Sequence, residues 1–582
     1  MGGVRIERNV LWQIVAIVLI GLYAMMFVWN WKFALAIFPL LVVLVGMVVF
    51  RLGGATMAVI GWLVAVFLAV LAFNTDWRVA LLGSAEGFLK SLGIGIAVIF
   101  TMYLIFLMKE EGLLATVSSS LKRVAKSKED QALFIGIGFG TFATSLGIVT
   151  PALFPPLLLA MGFTPMAAVC IAVLGYNAST SFALLSLPIT LPADVSPGLT
   201  DDIGFTGIEF AYFICLFLPV ISIGISFAML YIIGGKRSVM KGGVQAFIVG
   251  AAVAFSCLGF VAYEYFTGNT AVPLRVVGVA AGLLSMGALY GYQVGIERWR
   301  KRRGTKFVDE DVTPDGKTKK KKVDWPKVLR AYSPLIILTA FAAFVGIQAI
   351  SDFLADIPGK WEQIHIWDNR PPLDLDILAQ IYTWILVAII VSILYLRPKR
   401  EVLRRTNNVW IRRIWSPFIA YSVFFAIAYV MAYSAMELDG GELVPGADFD
   451  KYNMNMVMAA GLAAAFGTAY MWISSSLGLF GSVVGGSETG SNVLFMNVQY
   501  ETAGQVGIHN GQINDSFMAM YGGHGVAGGV ASAITPSKVN NAVVTIGEGR
   551  EMEAAVMRKL LMVTIALTIV INVMTGIFVS LF

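Results

Sequence analysis

Charge is scarce in this sequence. Of 582 residues, 13% are charged and 58% are apolar, against about 25% and 45–50% in soluble globular chains. A chain so poor in charge cannot present a polar surface to water on every side. Histidine and cysteine are scarcer still, with three of each. Cys170, Cys215 and Cys257 each lie inside an apolar run and form no CxxC pair, so they read as packing residues, with no metal site or disulfide expected. His365, His509 and His524 are scattered. HExxH, GxSxG and paired catalytic acids are all missing, so neither an enzyme nor a cofactor is expected. The triplet Gly316-Lys317-Thr318 lacks the glycine five places earlier that a phosphate-binding loop needs, since Asp311 stands there. The net charge of +6 sits in short loops between apolar runs. That distribution argues for membrane orientation and against a nucleic-acid partner.

Apolar runs of about 20 residues, the length that spans a bilayer core, recur along the chain. They include 10–29, 52–73, 92–107, 211–233, 244–266, 377–396 and 560–582. A signal peptide accounts for one such run but not for a series. Basic loops (122–128, 236–241, 298–327 and 397–413) alternate with acidic ones (194–202, 352–376 and 437–450). Arg5 and Arg8 precede the first run. By the positive-inside rule the N-terminus is cytoplasmic, and the count places the C-terminus outside. Trp29, Trp31, Trp361 and Trp367 suit interfacial belts. The expected fold is an all-α polytopic membrane protein with about 13 transmembrane helices and two re-entrant hairpins.

Two apolar stretches rich in Gly, Pro, Ser and Thr, 131–192 and 455–538, resemble each other. Thr144–Ile148 (TSLGI) echoes Ser475–Leu479 (SSLGL). Gly162-Phe163 precedes Tyr176 at the spacing by which Gly507-Ile508 precedes Tyr521. The flanking loop charges give the two stretches opposite orientation. Inverted repeats, each with a hairpin and a broken helix, mark secondary transporters, whose sites lie at the repeat interface. The chain then divides into N-terminal helices 1–130, repeat one 131–192, connecting helices 193–454, repeat two 455–538 and a C-terminal helix 539–582.

Irregular backbone at membrane depth survives only where it lines a cavity or is buried in protein, so the breaks are where a site is sought. The first supplies Tyr176, Asn177, Ser179, Thr180 and Ser181 as short polar groups inside an apolar span. The second, 485–492, supplies Ser487, Thr489, Ser491 and Asn492 as donors, with Glu488 among them. An intramembrane carboxyl is a functional candidate, here a proton carrier, with helix capping as the plainer role. The third contains His524, at the place that Ser179 occupies in repeat one. It is a proton-coupling candidate or a packed histidine held by a carbonyl. Lys538, just after Pro536, receives no role.

At these residues the sequence resembles the lactate permease family. Residues 486–492 read GSETGSN where that family shows GSDTSSN. Residues 493–495, 503–507, 525–528 and 534–536 are similar to its ALF, AQQIG, GVTG and ISP segments, and 328–334 to its VLRAWTP. The similarity covers about residues 90–582. It implies uptake of lactate, and often glycolate, with a proton, through paired hairpins and elevator-like movement. A homodimer is implied by the elevator analogy. Three departures stand out. The family's EGAAGFGAP segment is here 144–151, without a Glu. Its NTAPVAFG run is NASTSFAL at 177–184. A lysine before ISP is Ser532. Another small organic anion, sodium coupling and an anion channel stay open as alternatives.

Overall fold

The computed structural model describes residues 21, 23–48, 50, 52–121, 127–147, 150–199, 204–302, 324–357, 363–485 and 487–582. Nine helices among them are long and apolar enough to cross a membrane, with the shorter apolar helices Trp31–Gly46 and Ile381–Leu396 beside them. Strands among the described residues form two short antiparallel ribbons, Gln363–Ile364 with Leu373–Asp374 and Met436–Asp439 with Glu442–Pro445. The fold is therefore an all-α polytopic membrane architecture. Part of the expected span 10–29, the 316–318 triplet and Trp361 lie outside the described residues.

Several expected loops are helical. The basic stretch 236–241 lies within Gly207–Thr267, 61 residues long. A straight helix of that length would extend about 90 Å, three times the bilayer core of about 30 Å. It reverses at Gly234 and Gly235, the latter at φ 62°, a conformation open to glycine. The two arms then pack backbone to backbone, for a Cβ on Gly250 would lie 2.7 Å from Ile223 Cα. The basic stretch 397–413 contains the amphipathic helix Arg400–Arg413. Its Val402 and Thr406 are buried and its arginines exposed. Its Trp410 indole donates to Ile99 O at 2.8 Å. The acidic stretch 194–202 also begins inside a helix, Leu187–Leu199. Trp367 is 3% exposed and donates to Glu86 Oε2 at 2.6 Å. It pins the ribbons to the helices and does not face an interface belt. In each case the residues satisfy helical or buried hydrogen bonds that a loop would leave to water.

Residues 133–199 and 475–544 contain the same order of elements. The first has a leg at 133–145, a tip at Gly147, the leg Thr150–Ala160, the helix Pro165–Leu174, a break and the helix Leu187–Leu199. The second has the leg Ser475–Gly485, a tip near Ser487, the leg Glu488–Gln505, the helix Asp515–Ala531, a break and the helix Pro536–Val544. The turns after the second legs match in detail. Gly162 (φ 85°) and Gly507 (φ 80°) each end a helix in the left-handed conformation. In each turn the next amide reaches back five residues, Phe163 N to Leu158 O at 3.1 Å and Ile508 N to Ala503 O at 2.8 Å, which is a Schellman cap. Thr164 and Asn514 then cap the helices that follow. The TSLGI and SSLGL runs do not correspond, because one reaches the first hairpin's tip and the other begins the second hairpin's first leg.

Candidate functional site

The first break, 175–186, is the junction of the molecule. Thr180, Leu184, Leu185 and Ser186 all have positive φ, from 38° to 62°, costly for side-chain-bearing residues and tolerated where the surroundings enforce it. On one side the Leu184 and Leu185 amides donate to Thr144 O (3.0 Å) and Ser145 O (2.7 Å). They add donors at the C-terminal end of the first hairpin's leg, where Thr144 O also accepts from Gly147 N at 2.9 Å. On the other side the second hairpin docks. Asn492 Nδ2 donates to Pro188 O at 2.9 Å. That carbonyl needs an outside donor because the residue four further on is Pro192, which has no N–H.

Glu488 occupies this second contact. It is the first residue of its helix, and Ser487 caps that helix through Gly490 N. Glu488 is 7% exposed, and its carboxyl accepts the Ser181 hydroxyl's hydrogen bond. Gly528 and Gly529 admit it. A Cβ on Gly529 would lie 2.8 Å from Glu488 Oε2 and 2.8 Å from Thr180 Cβ, and one on Gly528 would lie 2.9 Å from Ser482 Oγ and 3.5 Å from Glu488 Cγ. The carboxyl is thus enclosed by both breaks. The hydroxyls of Thr180 and Ser482 and the Oδ1 of Asn492, buried around it, have no hydrogen-bond partner among the described residues. Buried polar atoms normally have one, and unpartnered atoms clustered around a carboxyl fit a site that receives a polar ligand.

Tyr176 and Asn177 meet the second break. Ser532 Oγ donates to Asn177 Oδ1 at 2.9 Å and lies 3.2 Å from Tyr176 OH. Ser532 thus replaces the expected lysine with a hydroxyl joining the two breaks. Among the described residues Ser179 bonds only its own turn, to Tyr176 O at 3.4 Å, and Thr489 is buried in the first turn of the Glu488 helix. Ser491 turns away to Gly478 O (3.1 Å) and to His524 Nε2 (3.3 Å).

His524 is fully buried with both ring nitrogens engaged. Nδ1 lies 3.0 Å from Gln499 Nε2, and Nε2 lies 3.3 Å from Ser491 O. Gln499 also donates to Ser474 O at 2.9 Å and accepts from Tyr470 OH at 2.8 Å. One assignment satisfies every group: a neutral imidazole accepting at Nδ1 from the Gln499 amide and donating at Nε2 to Ser491 O. Gln499 escapes a reading by motif, yet it lies seven and eight residues after Asn492 and Ser491, the spacing of one helix face. Lys538, without a role in the sequence reading, comes close to the first break. Its ammonium stands 5.9 Å from the Tyr176 ring centroid.

Paired hairpins and interrupted helices closing on one buried carboxyl define a secondary membrane transporter. The chain belongs to the L-lactate permease family, which it matches over residues 32–582, and it is a multi-pass protein of the cell membrane. It is 23% identical over 565 residues to the L-lactate permease of Halalkalibacterium halodurans, covering 94% of this chain and 97% of that one. It is 23% identical over 556 residues to the glycolate permease GlcA of Escherichia coli K12, covering 89% and 90%. Among solved structures it is similar to the Alcanivorax borkumensis YdaH transporter, at 13% identity and a TM-score of 0.38, covering 85% of this chain and 87% of that one.

Proposed function

We propose that the protein carries L-lactate or a related small 2-hydroxycarboxylate across the cytoplasmic membrane together with a proton. Family membership supports the substrate class. The carrying observation for the mechanism is Glu488, enclosed between the two breaks and bonded by Ser181. A carboxyl there changes the charge of the site by one when it takes up a proton. Tyr176, Asn177 and Ser532 form the hydroxyl-and-amide chain that meets the substrate's 2-hydroxyl. Thr180, Ser181, Ser482 and Asn492 complete the polar wall. His524, with both nitrogens satisfied, braces Ser491 and leaves proton carriage to Glu488. The two hairpin units move as the substrate carrier against the remaining helices. Loop charges support a cytoplasmic N-terminus and an external C-terminus.

The test is uptake of labelled L-lactate into proteoliposomes with and without an inward proton gradient. Accumulation that needs the gradient, and that glycolate but not acetate competes, is the expected result. Accumulation driven by sodium alone, or equilibration without accumulation, would overturn proton symport.

A further inference from the structure

We propose that Lys538 and Thr535 form the subsite that binds the substrate's carboxylate, at the start of the helix Pro536–Val544. This rests on the reading that the protein transports a carboxylate. The observations are four. Thr535 is the residue before the helix, where a threonine hydroxyl ordinarily caps, yet it makes no capping bond. Its Oγ1 is fully buried and has no partner among the described residues. Lys538 is half-buried, and no carboxylate of the described residues stands within ion-pair distance of its ammonium. The ammonium faces the Tyr176 ring at 5.9 Å, and Tyr176 belongs to the Tyr176–Ser532–Asn177 chain. A cation, an unused hydroxyl and the positive end of a nine-residue helix thus converge beside the hydroxyl chain. A 2-hydroxycarboxylate has the complementary shape, with its carboxylate on Lys538 and Thr535 and its hydroxyl on Ser532 and Tyr176.

The experiment uses the full-length protein in proteoliposomes. Lys538→Gln should raise the KM for L-lactate by about 10- to 100-fold, the loss of a charge-assisted hydrogen bond, while Lys538→Arg recovers most of the affinity. The thiol of Lys538→Cys should be modified by a methanethiosulfonate reagent, and L-lactate should slow that modification. The background is low because Cys170, Cys215 and Cys257 are all fully buried. The aminoethyl reagent, which rebuilds an ammonium, should restore the KM, and the methyl reagent should not. An unchanged KM in Lys538→Gln overturns the subsite. So does a raised KM that the aminoethyl reagent does not restore in Lys538→Cys. Thiol modification that lactate does not slow, in a protein that transports lactate, overturns it as well. If wild-type protein takes up no lactate, the substrate reading fails separately. The subsite then stands only if acetate, pyruvate or another simple carboxylate slows modification of the Lys538→Cys thiol, and falls if none does.

Discussion

At the residue scale, Glu488 separates charge from shape. Glu488→Gln keeps the volume and can still accept the Ser181 hydroxyl, but it cannot ionise. The expected outcome is that accumulation of lactate against its gradient is lost, while exchange of external for internal lactate persists and becomes insensitive to pH between mildly acidic and mildly alkaline conditions. Counterflow measurements at several pH values check this, and an exchange rate that keeps the wild-type pH profile would move the proton to another group. Gly529 belongs to the same scale. The Cβ of Gly529→Ala would sit 2.8 Å from both Glu488 Oε2 and Thr180 Cβ, so one of those groups must move. Uptake should fall by about tenfold or more, in keeping with overpacking costs of about 1–3 kcal/mol, while the protein still elutes as a single folded species. Normal uptake would mean that the contact between Glu488 and the first break yields at little cost. The GSETGSN run and its acid stand out in the sequence. That the acid sits against Gly528, Gly529 and Ser181 does not, because the Ser181 contact alone joins residues 307 positions apart.

At the scale of elements, the connection between the second hairpin and the second broken helix is held by His509. Its ring stacks on Tyr500 at 4.3 Å. Nε2 donates to Tyr500 O at 2.8 Å, and Nδ1 accepts from Gly511 N at 3.1 Å. The Gly511 contact needs the neutral ring, because an imidazolium has no acceptor nitrogen, and burial holds the pKa below the ordinary value, against the Tyr500 carbonyl, which favours the protonated ring. The unfolded segment therefore takes up a proton before the folded one. The turn's contribution to stability is complete above the ordinary imidazole value of about 6.5. It is lost as pH falls from there through the folded value. Hydrogen exchange across 505–514, corrected for intrinsic rates, should show protection decreasing below neutral pH in the wild type and no such loss in His509→Gln. Of the element pairs, the turns at Gly162 and Gly507 could be matched from spacing, since a left-handed glycine after a helix is a local requirement. The hairpin tips could not, because the second leg is 11 residues in one unit and 18 in the other. A match by fixed offset drifts across that difference.

At the scale of the whole molecule, the site is assembled by segments far apart in the chain, so a ligand that bridges them stabilises the whole fold. A substrate bound at 100 times its dissociation constant adds about 2.7 kcal/mol to the folded state. L-lactate and glycolate should therefore raise the unfolding temperature of the purified protein in detergent, while acetate, lacking the hydroxyl proposed to meet Ser532 and Tyr176, should raise it less. Equal shifts from all three at equal ionic strength would show a general anion effect. Loop charges and apolar runs revealed the membrane architecture because the bilayer penalises charge one residue at a time. They misplaced the stretches 236–241 and 397–413 because helices continue wherever backbone bonds can be kept, whatever the local charge.

Local composition and short motifs were enough to show that the chain lives in a membrane, that its Gly/Ser/Thr breaks are the places to seek chemistry, and which family it resembles. Each of those properties is written in neighbouring residues. The closing of the helices was needed to show that Ser181 meets Glu488, that Asn492 serves a carbonyl orphaned by Pro192, that His524 is fully satisfied, and that Lys538 stands beside Tyr176. Each of these is a hydrogen bond or charge contact made across a chain reversal, and its partner is set by how the helices pack, which no local pattern encodes.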